Sequence, residues 1–146
     1  MESSSVRVFA SYGEGDELTP NWATARSGQI NSAIDVAHLS VQTLGDRALE
    51  RELLVLFDRQ AAQVVQRLHA SMAAKVPETG EATDLAHSLK GSALAVGARR
   101  VAKAAEALEM ALKLPLGAEP LNARMSEIDA AVGEAGKAVS GMLASM

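Results

Sequence analysis

The chain has 146 residues, no cysteine and a formal net charge of −4, with 48% hydrophobic and only 3% aromatic residues. That size fits one globular domain, the missing cysteines exclude disulfides and thiolate metal sites, and the scattered basic residues argue against a nucleic-acid surface, which needs clustered Lys and Arg. Residues Met1 to Val8 lack a basic n-region and an apolar h-region, and no run approaches the roughly 18 apolar residues of a membrane span; the expectation is a soluble cytoplasmic protein that is not exported and touches no membrane.

Residues 1–33 carry Ser3-Ser4-Ser5, Gly13, Gly15, Pro20 and Gly28 without helical or alternating periodicity, apart from a short apolar patch from Val6 to Tyr12. This segment reads as an irregular or mobile arm, with Trp22, the single tryptophan, stapling it to the rest. Residues 34–146 read as a second region, made of helices. Alanine, leucine, methionine and long charged side chains dominate it, a helical composition rather than a sheet composition.

Ile34, Ala37, Val41 and Leu44 sit at helical spacing until Gly45 breaks the run, which predicts a short first helix. Asp46 is placed to cap a second, with Leu49, Leu53, Leu56, Phe57, Val64 and Leu68 as its apolar positions up to about Met72. Pro77 and Gly80 mark a connection. A third helix from about Glu81 carries one inward stripe, Ala82, Leu85, Ala86, Leu89, Ala93 and Val96, and Gly97 interrupts it. A fourth, Ala98 to Lys113, turns Val101, Ala105, Leu108 and Leu112 inward. Pro115, Gly117 and Pro120 separate it from a fifth, in which Leu121, Met125, Ile128, Val132, Ala135, Val139, Met142 and Met146 alternate steps of four and three. The run is under four heptads, so a bundle helix is preferred to a dimerising coiled coil. The predicted fold is all-α: an antiparallel four-helix bundle with a short additional N-terminal helix, as a monomer.

The stretch with chemistry is His87-Ser88-Leu89-Lys90-Gly91-Ser92-Ala93-Leu94-Ala95-Val96-Gly97. His87, Lys90, Gly91 and Leu94 are separated by steps of three and four, so they share one face, pointing away from the predicted core. Gly91 costs about 1 kcal/mol relative to alanine inside a helix, and one turn after His87 a missing Cβ leaves room for a partner to close over the imidazole. Lys90 is placed to offset the charge of about −1.5 to −2 that a phosphoryl group brings. An imidazole that accepts a phosphoryl group must be neutral, with one nitrogen free and the other held as a donor. Glu109, one residue after the core position Leu108, is the candidate to hold Nδ1–H and leave Nε2 as nucleophile; Glu106, one turn earlier, is the substitute.

These residues resemble the histidine phosphotransfer (HPt) domains of bacterial and fungal phosphorelays, whose signature His-x-x-Lys-Gly-[Ser/Ala]-[Ser/Ala] with a glycine soon after is filled by His87, Lys90, Gly91, Ser92, Ala93 and Gly97. The resemblance extends from about Ile34 to Leu112. It implies phosphorylation at His87, Lys90 and Gly91 around the phosphoryl group, and an amide or carboxylate at Glu109 as the imidazole's partner. Relay members often carry glutamine there and chemotaxis-kinase phosphotransfer domains glutamate. The implied partners are response-regulator receiver domains and a hybrid histidine kinase; Leu94, a leucine on the same outward line as His87 and Gly91, and Ser88 are expected on the docking surface. No cofactor is intrinsic to such a module; Mg²⁺ is expected in the partner receiver. With 146 residues there is no room for a kinase ATP-binding domain or a receiver domain, so the expectation is a stand-alone phosphoryl carrier, not an enzyme.

Other readings are weaker. His38 and His69 read as ordinary surface histidines, and Arg99 and Arg100 as solvated. Two Asp-x-x-His pairs, Asp35 with His38 and Asp84 with His87, lack the Glu-x-x-His pattern of di-metal bundles, so no metal is expected. A Ser-His-Asp hydrolase lacks a nucleophile elbow. The alternative from another class is a helical adaptor that binds a signalling partner without accepting phosphate.

Overall fold

Acidic caps and left-handed turns punctuate the chain in the computed structural model, which describes residues 33–74, 79–115 and 117–146. The Asp35 carboxylate accepts the His38 amide at 3.1 Å and opens α1 (Val36–Thr43). Leu44 and Gly45 then adopt φ of 54° and 78°, and the Gly45 amide donates back to the Ser40 carbonyl, which stops the helix. Asp46 repeats the capping device for α2 (Arg47–Ala73), accepting the Leu49 amide at 3.1 Å. Gly97, at φ 81°, separates α3 (Thr79–Val96) from α4 (Arg99–Ala111). The last helix is α5 (Ala118–Ala144). Pro120 lies inside its first turn, where an amide has no intrahelical acceptor, so the proline assigned by sequence to the connection costs the helix nothing. Gly80, assigned to the preceding connection, likewise belongs to α3.

Contacts between helices fix their directions. Arg67 pairs with Glu81 and Gln60 meets Ser92, so α2 and α3 run antiparallel. His87 meets Glu109 and Lys90 meets Glu106, so α3 and α4 do the same. Asp58 lies against Gly136 while His69 pairs with Asp129, which sets α5 antiparallel to α2. The four long helices therefore make an antiparallel bundle, and α1 packs against α2 and α3 as the short additional helix. Of the two units into which the chain divides, these helices belong to Ser32–Met146. The arm expected over residues 1–33 and the stapling role of Trp22 fall, apart from Ala33, outside the described residues; Ala33 itself is buried in the core.

Alanine supplies twelve of the twenty-five buried apolar residues among those described, most densely on α3 and α4. Short side chains let helix backbones approach, and that approach decides which polar groups meet at the edge of the seam. All six positions of the α3 stripe are buried, as are Val101, Ala105 and Leu108 of α4, with Leu112 partly so. On α5, Met125, Ile128, Ala131, Ala135 and Val139 form the inner line, with Ala131 buried and the expected Val132 only partly so.

Two elements depart from the expected stripes. On α1 the side chain that enters the core is Leu39, whereas Val41 and Leu44 are 70% and 94% exposed. A helix of eight residues docks by one or two anchors, and its orientation is set by the Asp35 and Thr43 ends rather than by periodicity. The Thr43 hydroxyl is buried against a Glu50 oxygen at 3.1 Å and fixes the α1–α2 corner. On α2, Leu54 and Ala61 join Phe57 and Leu68 in the core, leaving Leu49 and Leu56 at the surface. The buried line is thus rotated from the one drawn through Leu49, Leu53 and Leu56.

Candidate functional site

Because Leu85, Ala86, Leu89 and Ala93 face inward, residues 87, 91 and 94 of α3 must face out, and the His87 side chain is 71% exposed. On α4 the buried Leu108 puts Glu109 at the rim of the seam, its side chain only 16% exposed. The two meet at 3.2 Å between His87 Nδ1 and Glu109 Oε2. A carboxylate only accepts, so this contact is a hydrogen bond when Nδ1 carries the proton, and the lone pair is then on Nε2. A half-sheltered acceptor holding an exposed ring limits rotation of the imidazole without covering its second nitrogen.

One turn onward on α3 is one turn back on α4, and there Lys90 Nζ lies 3.7 Å from Glu106 Oε2. The structure thus separates the two glutamates that sequence reasoning had treated as alternatives: Glu109 meets the imidazole and Glu106 the ammonium. At Gly91 an added Cβ would meet no atom within 4 Å, so nothing inside the bundle requires glycine there. The space it leaves opens outward, one turn after His87 on the same face.

Leu94 is 50% exposed on the same outward line. Ser88 is exposed on the flank facing α2, where it lines a groove of about 190 Å³ with Gln60, Val64, Arg67 and Ser92. His87, Lys90, Gly91, Leu94 and Glu109 therefore gather along one side of the α3–α4 seam, and Ser88 looks toward α2.

His38, His69, Arg99 and Arg100 each have a structural partner. His38 Nε2 lies 2.9 Å from the Leu94 carbonyl, one of the last four carbonyls of α3. His69 Nε2 meets the Asp129 carboxylate at 2.8 Å and ties α2 to α5. Arg99 pairs with Asp35 and Arg100 with Glu134, each at 2.7 Å, so neither is merely solvated. Among the described residues no three His, Cys, Asp or Glu side chains converge as metal ligands, and no helix is long and apolar enough to cross a membrane.

Sequence reasoning missed the junction at the end of α3. The Asp35 amide donates to the Gly97 carbonyl at 2.9 Å, and a Cβ on Gly97 would lie 3.0 Å from both Asp35 Cβ and its carbonyl oxygen. The glycine was legible as a helix stop; its contact with a residue 62 positions earlier carried no local signal.

Three comparisons bear on this arrangement. The family model described as Hpt domain matches residues 52–144. Among solved structures, a rice protein described as a histidine-containing phosphotransfer protein superposes with a TM-score of 0.71 at 18% identity, covering 84% of this chain and 89% of the rice chain. At that identity the likeness concerns the fold alone. No curated protein matches the chain.

Proposed function

The chain belongs to the Hpt domain family, and from that premise we propose that it is a phosphoryl carrier of a two-component phosphorelay, accepting the group on His87 Nε2 from a receiver-domain aspartate and passing it to another. The observation that carries the reading is the exposed His87 ring with its Nδ1 3.2 Å from Glu109 and its Nε2 side open.

In the forward step the lone pair on Nε2 attacks phosphorus, the O–P bond of the partner's aspartyl phosphate breaks, and its electron pair returns to the carboxylate. Nδ1 keeps its proton, and the positive charge the ring gains lies against Glu109. The reverse step returns the pair to Nε2 and leaves a neutral imidazole, so one hydrogen bond serves both directions. Lys90 offsets phosphoryl charge, and Gly91 leaves the space through which the partner reaches the ring.

The acceleration comes mainly from positioning and from charges in the partner, including the Mg²⁺ expected in its receiver domain; the chain supplies a nucleophile and needs no cofactor of its own. The partners are response-regulator receiver domains and a hybrid histidine kinase on other chains, met in the cytoplasm by a monomeric carrier. Leu94 and Ser88 belong to the docking surface, which needs only micromolar affinity to release the partner in each cycle.

The test is incubation of the purified protein with a phosphorylated receiver domain and Mg²⁺, followed by a gel for label. Acid-labile, base-stable label on the protein supports the carrier. Stable binding of the receiver without label would favour the adaptor reading instead.

A further inference from the structure

In the protein without phosphate, Lys90, the cation nearest His87 on its own helix face, is engaged by Glu106 at 3.7 Å. Two carboxylates stand near the ring: Glu109 touches it, and Asp84 is exposed one turn before it on α3. A phosphoryl group of charge about −1.5 to −2 arriving at Nε2 competes with Glu106 for one ammonium.

We infer that Glu106 is a positioning residue that acts through Lys90: it holds the ammonium on α4 in the resting protein, must give it up when His87 is phosphorylated, and so tilts the exchange equilibrium toward the receiver aspartate. The inference rests on the carrier reading above and gives it a direction. Lys90 is partly buried along its stem while both charged ends reach solvent, with side-chain exposures of 30% and 51%, so the ammonium can swing between α4 and the ring without unpacking the seam. Lys103, one turn before Glu106 on α4, is placed to compensate the carboxylate that Lys90 leaves. No bond to Glu106 forms or breaks in the transfer; it changes only the relative free energies of the two phosphorylated species.

The experiment measures the exchange equilibrium of the full chain with a receiver domain charged by acetyl phosphate and Mg²⁺, approached from both sides, at about 0.05 M and 1 M salt. Removing the competitor with Glu106→Gln should move the equilibrium toward phospho-His87 by about two- to fivefold at low salt, the span of an exposed ion pair. Glu106→Asp should stay near the parent, and the shift should vanish at 1 M salt, where the screening length falls to about 3 Å. In a Lys90→Met background the effect of Glu106→Gln should shrink. An equilibrium indifferent to Glu106→Gln, or an equal shift with Lys90 removed, would overturn the positioning role while leaving the carrier intact. Failure of the unaltered protein to exchange at all would instead overturn the carrier reading, and this inference with it.

Discussion

The middle of α3 and its C-terminal end are built from similar parts, a histidine, a glycine and a charged pair, and use them in opposite ways. Around Gly91 an added Cβ meets open space; at Gly97 it meets the Asp35 backbone at 3.0 Å, with φ already at 81°. His87 offers an unencumbered nitrogen to solvent, whereas His38 spends its Nε2 on the Leu94 carbonyl. Arg99 is fastened to Asp35 at 2.7 Å, whereas Lys90 is held loosely by Glu106 at 3.7 Å. A residue type in a helix therefore says little about its work; whether its polar atoms are already satisfied by the fold says much more.

The largest expected effect breaks the comparison at its histidines. His87→Gln should abolish acid-labile labelling with helicity unchanged by circular dichroism, while His38→Gln and His69→Gln label normally. Residual histidine phosphate in His87→Gln would move the acceptor elsewhere. His38→Gln should instead cost about 0.5–1.5 kcal/mol in urea unfolding, the worth of one hydrogen bond.

The glycines come next, and they should separate transfer from stability. Gly91→Gln should block transfer sterically while raising stability by up to about 1 kcal/mol, because glycine is the poorer helix former. Gly97→Ala should do the reverse, costing about 1–3 kcal/mol through its left-handed φ and the contact with Asp35 and leaving transfer by the folded fraction intact. A Gly91→Gln protein that is stable and transfers at the parent rate would remove the access argument.

Glu109→Ala should slow single-turnover labelling by about tenfold, the lower end of what losing an orienting partner costs a ligating histidine, and Glu109→Gln should recover part of it because an amide oxygen still accepts Nδ1–H. Equal defects in the two variants would assign the role to charge rather than orientation. Lys90→Ala should slow the same step by a smaller factor.

The smallest effect concerns docking. Leu94 is half exposed, so its further burial under a receiver is worth about 1 kcal/mol, and Leu94→Ser should weaken calorimetric affinity about fivefold while the rate at saturating receiver stays unchanged. Unchanged affinity with a slow saturated step would make Leu94 a positioning residue.

By itself the sequence determined what periodicity and local chemistry encode: helices from alanine- and leucine-rich composition, the six buried positions of α3, the Asp46 cap, the stop at Gly97, and the His87–Lys90–Gly91 face that marks the family. These depend on neighbours within a turn or two, where spacing along the chain is distance in space. It did not determine the buried lines of α1 and α2. Leu39 rather than Val41 enters the core, and Leu54 rather than Leu49 or Leu56, because a short helix and one with apolar residues on two sides leave the rotation to be chosen by whatever packs against them. Nor did it separate Glu109 from Glu106, which lie one turn apart on one helix; the register of α4 against α3, set by close packing of their alanines, puts one beside the imidazole and the other beside the ammonium. The clamp of Asp35 on Gly97 belongs to the same class. Contacts between residues distant in sequence are fixed by how helices pack against one another, and only the tertiary structure holds that information.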